Sequence, residues 1–130
     1  MNYVILLIEL VLLATGVGVF WYVFHQPPPP RPEWKERDWS AFLAERLNGD
    51  PEWVLPDGSR IDILTEDIAW EVEWSDKWPE AIGQSVFYAM AMDRKPGVYL
   101  LLRGNKDEDW LRCMSVCRKL EIEFQWIKTS

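Results

Sequence analysis

The pattern of apolar and polar residues divides the chain into a long apolar run, a proline-rich stretch and a mixed region. Residues 3–24 read YVILLIELVLLATGVGVFWYVF, and their one charged residue is Glu9. A helix of this length would span ~33 Å, enough for the ~30 Å hydrocarbon core of a bilayer. The run therefore predicts a single-pass transmembrane anchor over residues 1–25.

A cleaved signal peptide is the alternative interpretation of this run. It would require a basic n-region, whereas only Met1 and Asn2 precede the run, and the apolar residues continue to Phe24. Basic residues follow the run and none precedes it, so the positive-inside rule predicts a membrane protein whose soluble domain is cytoplasmic. Ala14 and Gly18 would permit close helix approach, so self-association through this helix is also expected.

Residues 26–37 are predicted to form a linker, because they contain four consecutive prolines. Such a run favours polyproline II, an extended and stiff conformation without internal hydrogen bonds. A spacer that holds the following domain away from the membrane is the favoured interpretation. A ligand for a proline-binding module is the alternative.

From residue 38 onward, strand and helix patterns follow each other in the order α-βββ-α-β-α-β. Asp38 is the expected N-cap of the first helix, which an Asn-Gly pair would end. Residues 60–65 alternate polar and apolar positions like a half-buried strand, whereas residues 98–102 are apolar throughout, as in a strand buried on both faces. One small α/β domain with one core is expected. The predicted strands are 52–55, 60–65, 68–74, 98–102 and 122–127, and the predicted helices are 39–47, 79–93 and 105–120.

Composition and charge narrow the possible functions. The chain has 130 residues, of which 48% are hydrophobic and nine are Trp, so disorder throughout and a multi-domain enzyme are excluded. The net charge is −7 and uneven, because residues 26–93 carry 6 basic and 15 acidic residues and residues 94–130 carry 8 and 5. This excludes a uniformly basic nucleic-acid-binding protein. It leaves either an acidic cluster that requires cations or a solvated acidic surface.

The cysteines and tryptophans are interpreted mainly as structural residues. Cys113 and Cys117 lie four residues apart on the last predicted helix, without a third ligand for a zinc site, and are expected to be buried free thiols. Trp74 and Trp78 flank a group of acidic residues and are candidates for stacking on bases. The tryptophans expected in the core are Trp39, Trp53, Trp70 and Trp126.

Three acidic residues on two adjacent predicted strands form the main candidate site. Glu71 and Glu73 are two residues apart, so they point to the same face of their strand. If the turn at residues 66–67 pairs this strand with the preceding one, Asp62 lies near Glu71. Three converging carboxylates require a cation, and their oxygen ligands suit Mg²⁺ or Mn²⁺, which can activate water and stabilise a phosphoryl transition state. A solvent-facing acidic strand is the alternative.

The following helix adds polar residues to this candidate site. Glu80, Gln84 and Tyr88 are spaced by four and form one stripe on a mostly apolar helix. A buried amide requires a hydrogen-bond partner, so Gln84 is expected to have one. Lys77 lies just before the helix, from where it could reach over the carboxylates and act on a phosphate or a water.

A resemblance to the PD-(D/E)XK nuclease superfamily extends over residues 57–102, DGSRIDILTEDIAWEVEWSDKWPEAIGQSVFYAMAMDRKPGVYLLL. Asp62 matches the first metal-binding Asp and Glu71 matches the second acid. Residues 84–88 (QSVFY) match the Q-x-x-x-Y helix motif of the RecB-type branch, and the K-W-x-E-A-I-G-Q-S pattern resembles a group of small bacterial proteins. The resemblance implies a restriction-endonuclease-like α-βββ-α-β core over residues 38–130, here with an extra C-terminal helix and strand.

The resemblance also implies an activity, the hydrolysis of nucleic-acid phosphodiesters with Mg²⁺ or Mn²⁺. Asp62 and Glu71 would be metal ligands, Glu73 would be either a third ligand or an acid that contacts the ligands, and Gln84 and Tyr88 would position the site. The protein would then be a nuclease-like hydrolase with nucleic acid as its partner, tethered to the membrane through residues 3–24.

One departure from the superfamily pattern concerns its lysine two residues after the second acid, where this chain has Glu73. Lys77 would then supply the missing positive charge of that lysine from the helix side, as relocated lysines do elsewhere in the superfamily. The alternative is a domain that has lost cleavage and serves as a non-catalytic interaction module at the membrane. Exported members of the small group carry a pair of cysteines at two positions where this chain has other residues. The absence of this pair favours a reducing compartment here.

Overall fold

The computed structural model describes residues 30–104 and 107–129. The predicted anchor at residues 1–25 and residues 26–29 of the predicted linker lie outside the described residues. Within the described ranges, no helix is long and apolar enough to cross a membrane. The elements are α1 (Glu36–Leu47), β1 (Asp50–Val54), β2 (Arg60–Leu64), β3 (Ile68–Trp74), a 3₁₀ turn (Ser75–Lys77), α2 (Trp78–Met92), β4 (Lys95–Leu102), α3 (Asp107–Lys119) and β5 (Glu123–Lys128).

The strands form one five-stranded sheet in which the spatial order equals the chain order, β1-β2-β3-β4-β5. The first three strands are antiparallel, since short turns connect them, and the pairs β3/β4 and β4/β5 are parallel. Parallel neighbours require a crossover, which α2 and α3 provide. The predicted mixed α/β class and order of elements are confirmed.

The helices cover the two faces of the sheet. On one face, Trp39 and Leu43 of α1 pack in a buried cluster with Trp70 of β3 and Leu101 of β4. On the other face, α2 and α3 pack in a second cluster that includes Leu100. Neighbouring residues of β4 thus enter different clusters, which confirms the predicted strand buried on both faces.

The first helix begins earlier than predicted. Its N-cap is Lys35, and Asp38 is the third helical residue, where its carboxylate accepts a hydrogen bond from the Lys35 N–H at 2.9 Å. An acidic side chain at this position can reach back to the N-cap amide, as in a capping box. The predicted role of Asp38 as N-cap is therefore wrong, and Glu36 belongs to the helix rather than to the linker.

The core predictions for the tryptophans are half right. Trp39 and Trp70 are buried, at 1% and 4% exposure. Trp53 and Trp126 are exposed at 41% and 44%, because they lie on the outermost strands, which have a neighbour on one side only. Trp126 packs edge-on against Trp110 of α3, with ring centroids 5.5 Å apart.

The two cysteines are confirmed as buried free thiols on α3. Their sulfur atoms lie 3.9 Å apart, and both side chains pack in the cluster formed with α2 and β4. The hydrogen bond with Cys117, followed by burial, raises the pKa of Cys113, so this thiol stays protonated.

Candidate acidic site

An open cavity of about 510 Å³ lies beside β2 and β3. All three acids singled out from the sequence, Asp62, Glu71 and Glu73, contribute to its wall, together with Gln84 and Tyr88 of α2. The remaining lining residues are Glu36, Arg37, Glu52, Gly58, Ser59 and Arg60, contributed by α1, β1, the β1–β2 turn and β2. The cavity thus joins residues from α1, β1, β2, β3 and α2.

The cavity opens where β2 and β3 separate. Their ladder contains two pairs, Ile63 with Trp70 and Leu64 with Ala69. Beyond them the Val72 N–H donates to the Asp62 Oδ2 at 2.8 Å instead of to a main-chain carbonyl. The Asp62 side chain therefore lies between the diverging strands and satisfies an amide that the ladder leaves open.

Glu71 and Glu73 are buried, each at 6% exposure. They alternate along β3 with Trp70 and Val72, which pack in the cluster under α1, so the two acids lie on the opposite side of the strand. The Trp74 N–H donates to the Glu73 Oε1 at 2.8 Å. The Oε2 atom of Glu71 is buried without a hydrogen-bond partner. A buried carboxylate oxygen in this condition carries a large desolvation cost unless a proton or a cation neutralises it.

Burial sets the charge state of Glu71 and of its partly buried neighbour Asp62. Burial raises the pKa of Glu71 to about 10, and the neighbouring charge of Asp62 adds to the effect. Burial also raises the pKa of Asp62 to about 6, against the lowering effect of the Val72 N–H. The interaction between the two side chains lowers the pKa of Asp62 and raises the pKa of Glu71. Without a cation, Glu71 therefore holds a proton at neutral pH and donates it toward Asp62.

Glu36 is a fourth acid of the site that the sequence reasoning missed. It is partly buried in the first turn of α1. Burial and a hydrogen bond with Glu73 raise the pKa of Glu36 to about 8, and the charge of Lys77 opposes this shift. A capping box with Asp38 at the third helical position would have placed Glu36 on the helix, but Lys35 is not a usual N-cap residue, so the sequence did not reveal this start.

Lys77 is located at the end of the 3₁₀ turn and is exposed. It is not among the residues that line the cavity, although its charge acts on Glu36. Glu80 is also exposed, one helical turn before Gln84, and does not line the cavity. The suggested catalytic role of Lys77 stays a prediction.

The aromatic residues near the site differ in whether they are free to contact a ligand. Burial, followed by the charges of Glu71 and Asp62, raises the pKa of Tyr88, so its phenol is neutral and can donate a hydrogen bond. Trp74 is partly buried against the α1 cluster, and the Arg103 guanidinium lies 3.4 Å from its ring centroid. Trp78 packs against the cluster under α2 and α3. Both tryptophans therefore have structural contacts already.

The residues present fit a divalent cation by their chemistry. No group of three or more His, Cys, Asp or Glu side chains in the described ranges is arranged to hold a metal ion. Mg²⁺, however, is usually held by one or two carboxylates together with waters and substrate oxygens. Asp62 and Glu71 supply two adjacent carboxyl groups, and one of their oxygens has no partner. A cation could take the place of the proton that the pair now shares.

Comparisons with protein-family models, with curated proteins and with solved structures find no match for this chain. The geometry of the site is therefore the basis for a functional proposal.

Proposed function

We propose that the protein is a divalent-metal-dependent hydrolase of nucleic-acid phosphodiesters. The observation that carries the proposal is the buried Oε2 of Glu71, unpartnered beside Asp62 in an open cavity. A purely structural acidic surface would leave its carboxylates in water, where they cost nothing to ionise. In this protein, two carboxyl groups lie against each other with their charge removed from water, which destabilises the fold. Sites of this kind are often functional.

Asp62 and Glu71 would hold the cation, as Mg²⁺ or Mn²⁺. Bound there, the ion would supply charge stabilisation to a phosphate and lower the pKa of a water. Side chains of the protein would transfer protons and orient the phosphate. Glu36 has a pKa of about 8 beside Glu73, so Glu36 can accept and release a proton near neutral pH. Tyr88 and Gln84 border the cavity with groups that can donate hydrogen bonds to phosphate oxygens.

A non-catalytic interaction module at the membrane is the second candidate, and two observations favour it. The net charge of −7 opposes binding to a polyanion. Glu73 occupies the position of the superfamily's lysine, and Lys77 is exposed outside the cavity lining. Under this alternative, Asp62 with Glu71 and Glu36 with Glu73 would each keep a proton, and both pairs would have only a structural role.

The membrane tether belongs to the proposal as well. It rests on the apolar residues 3–24, through which the chain would also self-associate, and it places the following domain in the cytoplasm. Protease added to intact cells should leave the domain intact, and added to permeabilised cells should digest it. Digestion in intact cells would reverse the orientation, and recovery of the full chain in the soluble fraction would contradict the tether.

The decisive experiment is a cleavage assay with the full chain in mild detergent. Single- and double-stranded DNA and RNA are incubated with Mg²⁺, Mn²⁺ or a chelator. Metal-dependent cleavage is expected, and it should be lost in Asp62→Asn and Glu71→Gln. Glu66→Gln is the matched control, because Glu66 is an exposed acid in the β2–β3 turn. No cleavage of any substrate with either metal would favour the interaction module.

A further inference from the structure

Two arginines line the acidic cavity, and they come from different elements. Arg37 lies in the first turn of α1, and Arg60 is the first residue of β2. Both are exposed, and both border the same cavity as Asp62 and Glu71. Five acidic residues line this cavity. Among its described lining residues, the two arginines are the only cationic ones.

The fold alone gives little reason for either arginine. A cation in the first turn of a helix opposes the helix dipole, so Arg37 is unfavourable for α1 itself. Arg60 forms an ion pair with Glu52 at 2.9 Å, with side-chain exposures of 58% and 33%. Exposed pairs of this kind contribute little to stability, because solvent screens them. Both guanidinium groups are therefore available for a ligand.

We propose that Arg37 and Arg60 bind the backbone phosphates of a nucleic-acid strand whose phosphodiester enters the acidic cavity. This inference rests on the proposed function. Guanidinium groups present paired N–H donors that match phosphate oxygens. A cavity with five acidic residues repels a polyanion, so strand binding requires cationic groups at that same cavity.

Glu52 competes with the phosphate for Arg60. Its backbone has φ 55°, a left-handed conformation that residues other than glycine seldom adopt. The side chain lines the cavity and holds Arg60, while its charge also acts on Asp62. Binding of a strand would transfer Arg60 from the Glu52 carboxylate to a phosphate. Glu52 therefore weakens strand binding through Arg60.

The test measures strand binding apart from cleavage. Asp62→Asn with Glu71→Gln provides a background that cannot hold the metal. Binding of a short fluorescein-labelled single strand, as DNA and as RNA, is followed by fluorescence anisotropy at several salt concentrations. Arg37→Gln and Arg60→Gln should each weaken binding about 5- to 10-fold, and each should reduce the salt slope by ~0.7. Arg112→Gln is the control, because Arg112 is an equally exposed arginine of α3, paired with acids of its own helix.

Glu52→Gln separates a direct effect from a change in overall charge. It should tighten binding in the background protein, and the gain should be much smaller once Arg60→Gln is present, because only the loss of repulsion by the Glu52 charge then remains. Equal effects of the three arginine variants would overturn the proposal, and so would a gain from Glu52→Gln that is the same with and without Arg60. Failure of the background protein to bind any strand would overturn it too. Binding that depends on Arg37 and Arg60, in a wild type that never cleaves, would sustain this inference and refute the hydrolase.

Discussion

At the scale of single residues, the proximity of Asp62 and Glu71 destabilises the folded protein, whereas the same proximity would serve to bind a cation. Their contact is costly in the folded protein, because burial favours the neutral form of both carboxyl groups. The Val72 N–H offsets part of this cost at Asp62, while the Oε2 of Glu71 has no such partner. Glu71 is therefore the residue whose charge depends most on a ligand.

The raised pKa values predict that stability falls as pH rises. A carboxyl group with a raised pKa binds more protons in the folded state than in the unfolded state, so its stabilising contribution is complete at low pH and is lost as pH rises through the folded value. These values are about 6 for Asp62, about 8 for Glu36 and about 10 for Glu71. In chelator, urea unfolding should give a lower free energy of unfolding at pH ~9 than at pH ~6.

Glu71→Gln tests the origin of this pH dependence. The amide keeps the shape of the side chain and cannot ionise, so the variant should lose less stability than the wild type between the same pH values. Glu66→Gln changes an exposed acid and should follow the wild type. A wild type that gains stability over this range would show that the buried pair does not control it.

Lys77 gives a second prediction for single residues. Its charge lowers the pKa of Glu36, so Lys77→Ala should raise that pKa. If ionised Glu36 accepts the proton during hydrolysis, the acidic limb of the pH–rate profile moves to higher pH in this variant. Lys95→Ala, which removes an exposed lysine at the start of β4, should leave the limb in place. Lower turnover with an unmoved limb would instead indicate that Lys77 acts on the substrate directly.

At the scale of the elements, the core depends on close contact between β3 and β4. Gly97 pairs with Trp70 in the parallel ladder. A Cβ atom at Gly97 would lie 2.6 Å from the Ile68 Cγ2 and 2.7 Å from the Trp70 Cε3. Such distances are too short for unstrained packing, so the absence of a side chain at Gly97 is a structural requirement.

Gly97→Ala should therefore destabilise the domain by ~1–3 kcal/mol, measured by urea unfolding. Gly83→Ala provides the matched control, because Gly83 lies on the exposed side of α2 with no atom within 4 Å of an added Cβ. This variant should gain up to ~1 kcal/mol from its better helix propensity. Similar effects of both substitutions would mean that the β3–β4 contact is looser than described.

The sequence predicted the elements well wherever local chemistry defines them. The alternation in β2 and the turn residues before and after it are local signals, and the acids of β2 and β3 could be placed together because these strands follow each other directly. The start of α1 was missed because Lys35 is an unusual N-cap. Trp53 was misplaced because its apolar character does not reveal that β1 lies at the edge of the sheet.

At the scale of the whole molecule, the site is a product of the tertiary fold. Glu36, Arg37 and Glu52 come from α1 and β1, and only the folded chain places them beside the acids of β2 and β3. No spacing rule relates these residues to Asp62 or Glu71, so the sequence could not assign them to the site. The folded domain thus concentrates five acidic residues and two arginines around one opening.

This concentration of acids predicts that a divalent cation stabilises the whole domain. An ion that binds only the folded state raises the free energy of unfolding, by ~2.7 kcal/mol at about 100 times its dissociation constant. The ion competes with the protons on Asp62 and Glu71, so the rise in melting temperature with Mn²⁺ should be larger at pH ~8 than at pH ~6.

Glu71→Gln should melt at a higher temperature than the wild type in chelator and should not respond to Mn²⁺. Its neutral side chain removes both the cost of keeping Glu71 protonated in the folded state and the ligand. Glu66→Gln should respond as the wild type does, since Glu66 is an exposed turn residue. A wild-type melting temperature that millimolar Mn²⁺ leaves unchanged at pH ~8 would refute the metal site. The buried pair would then be a structural feature that stays protonated, as the interaction module requires.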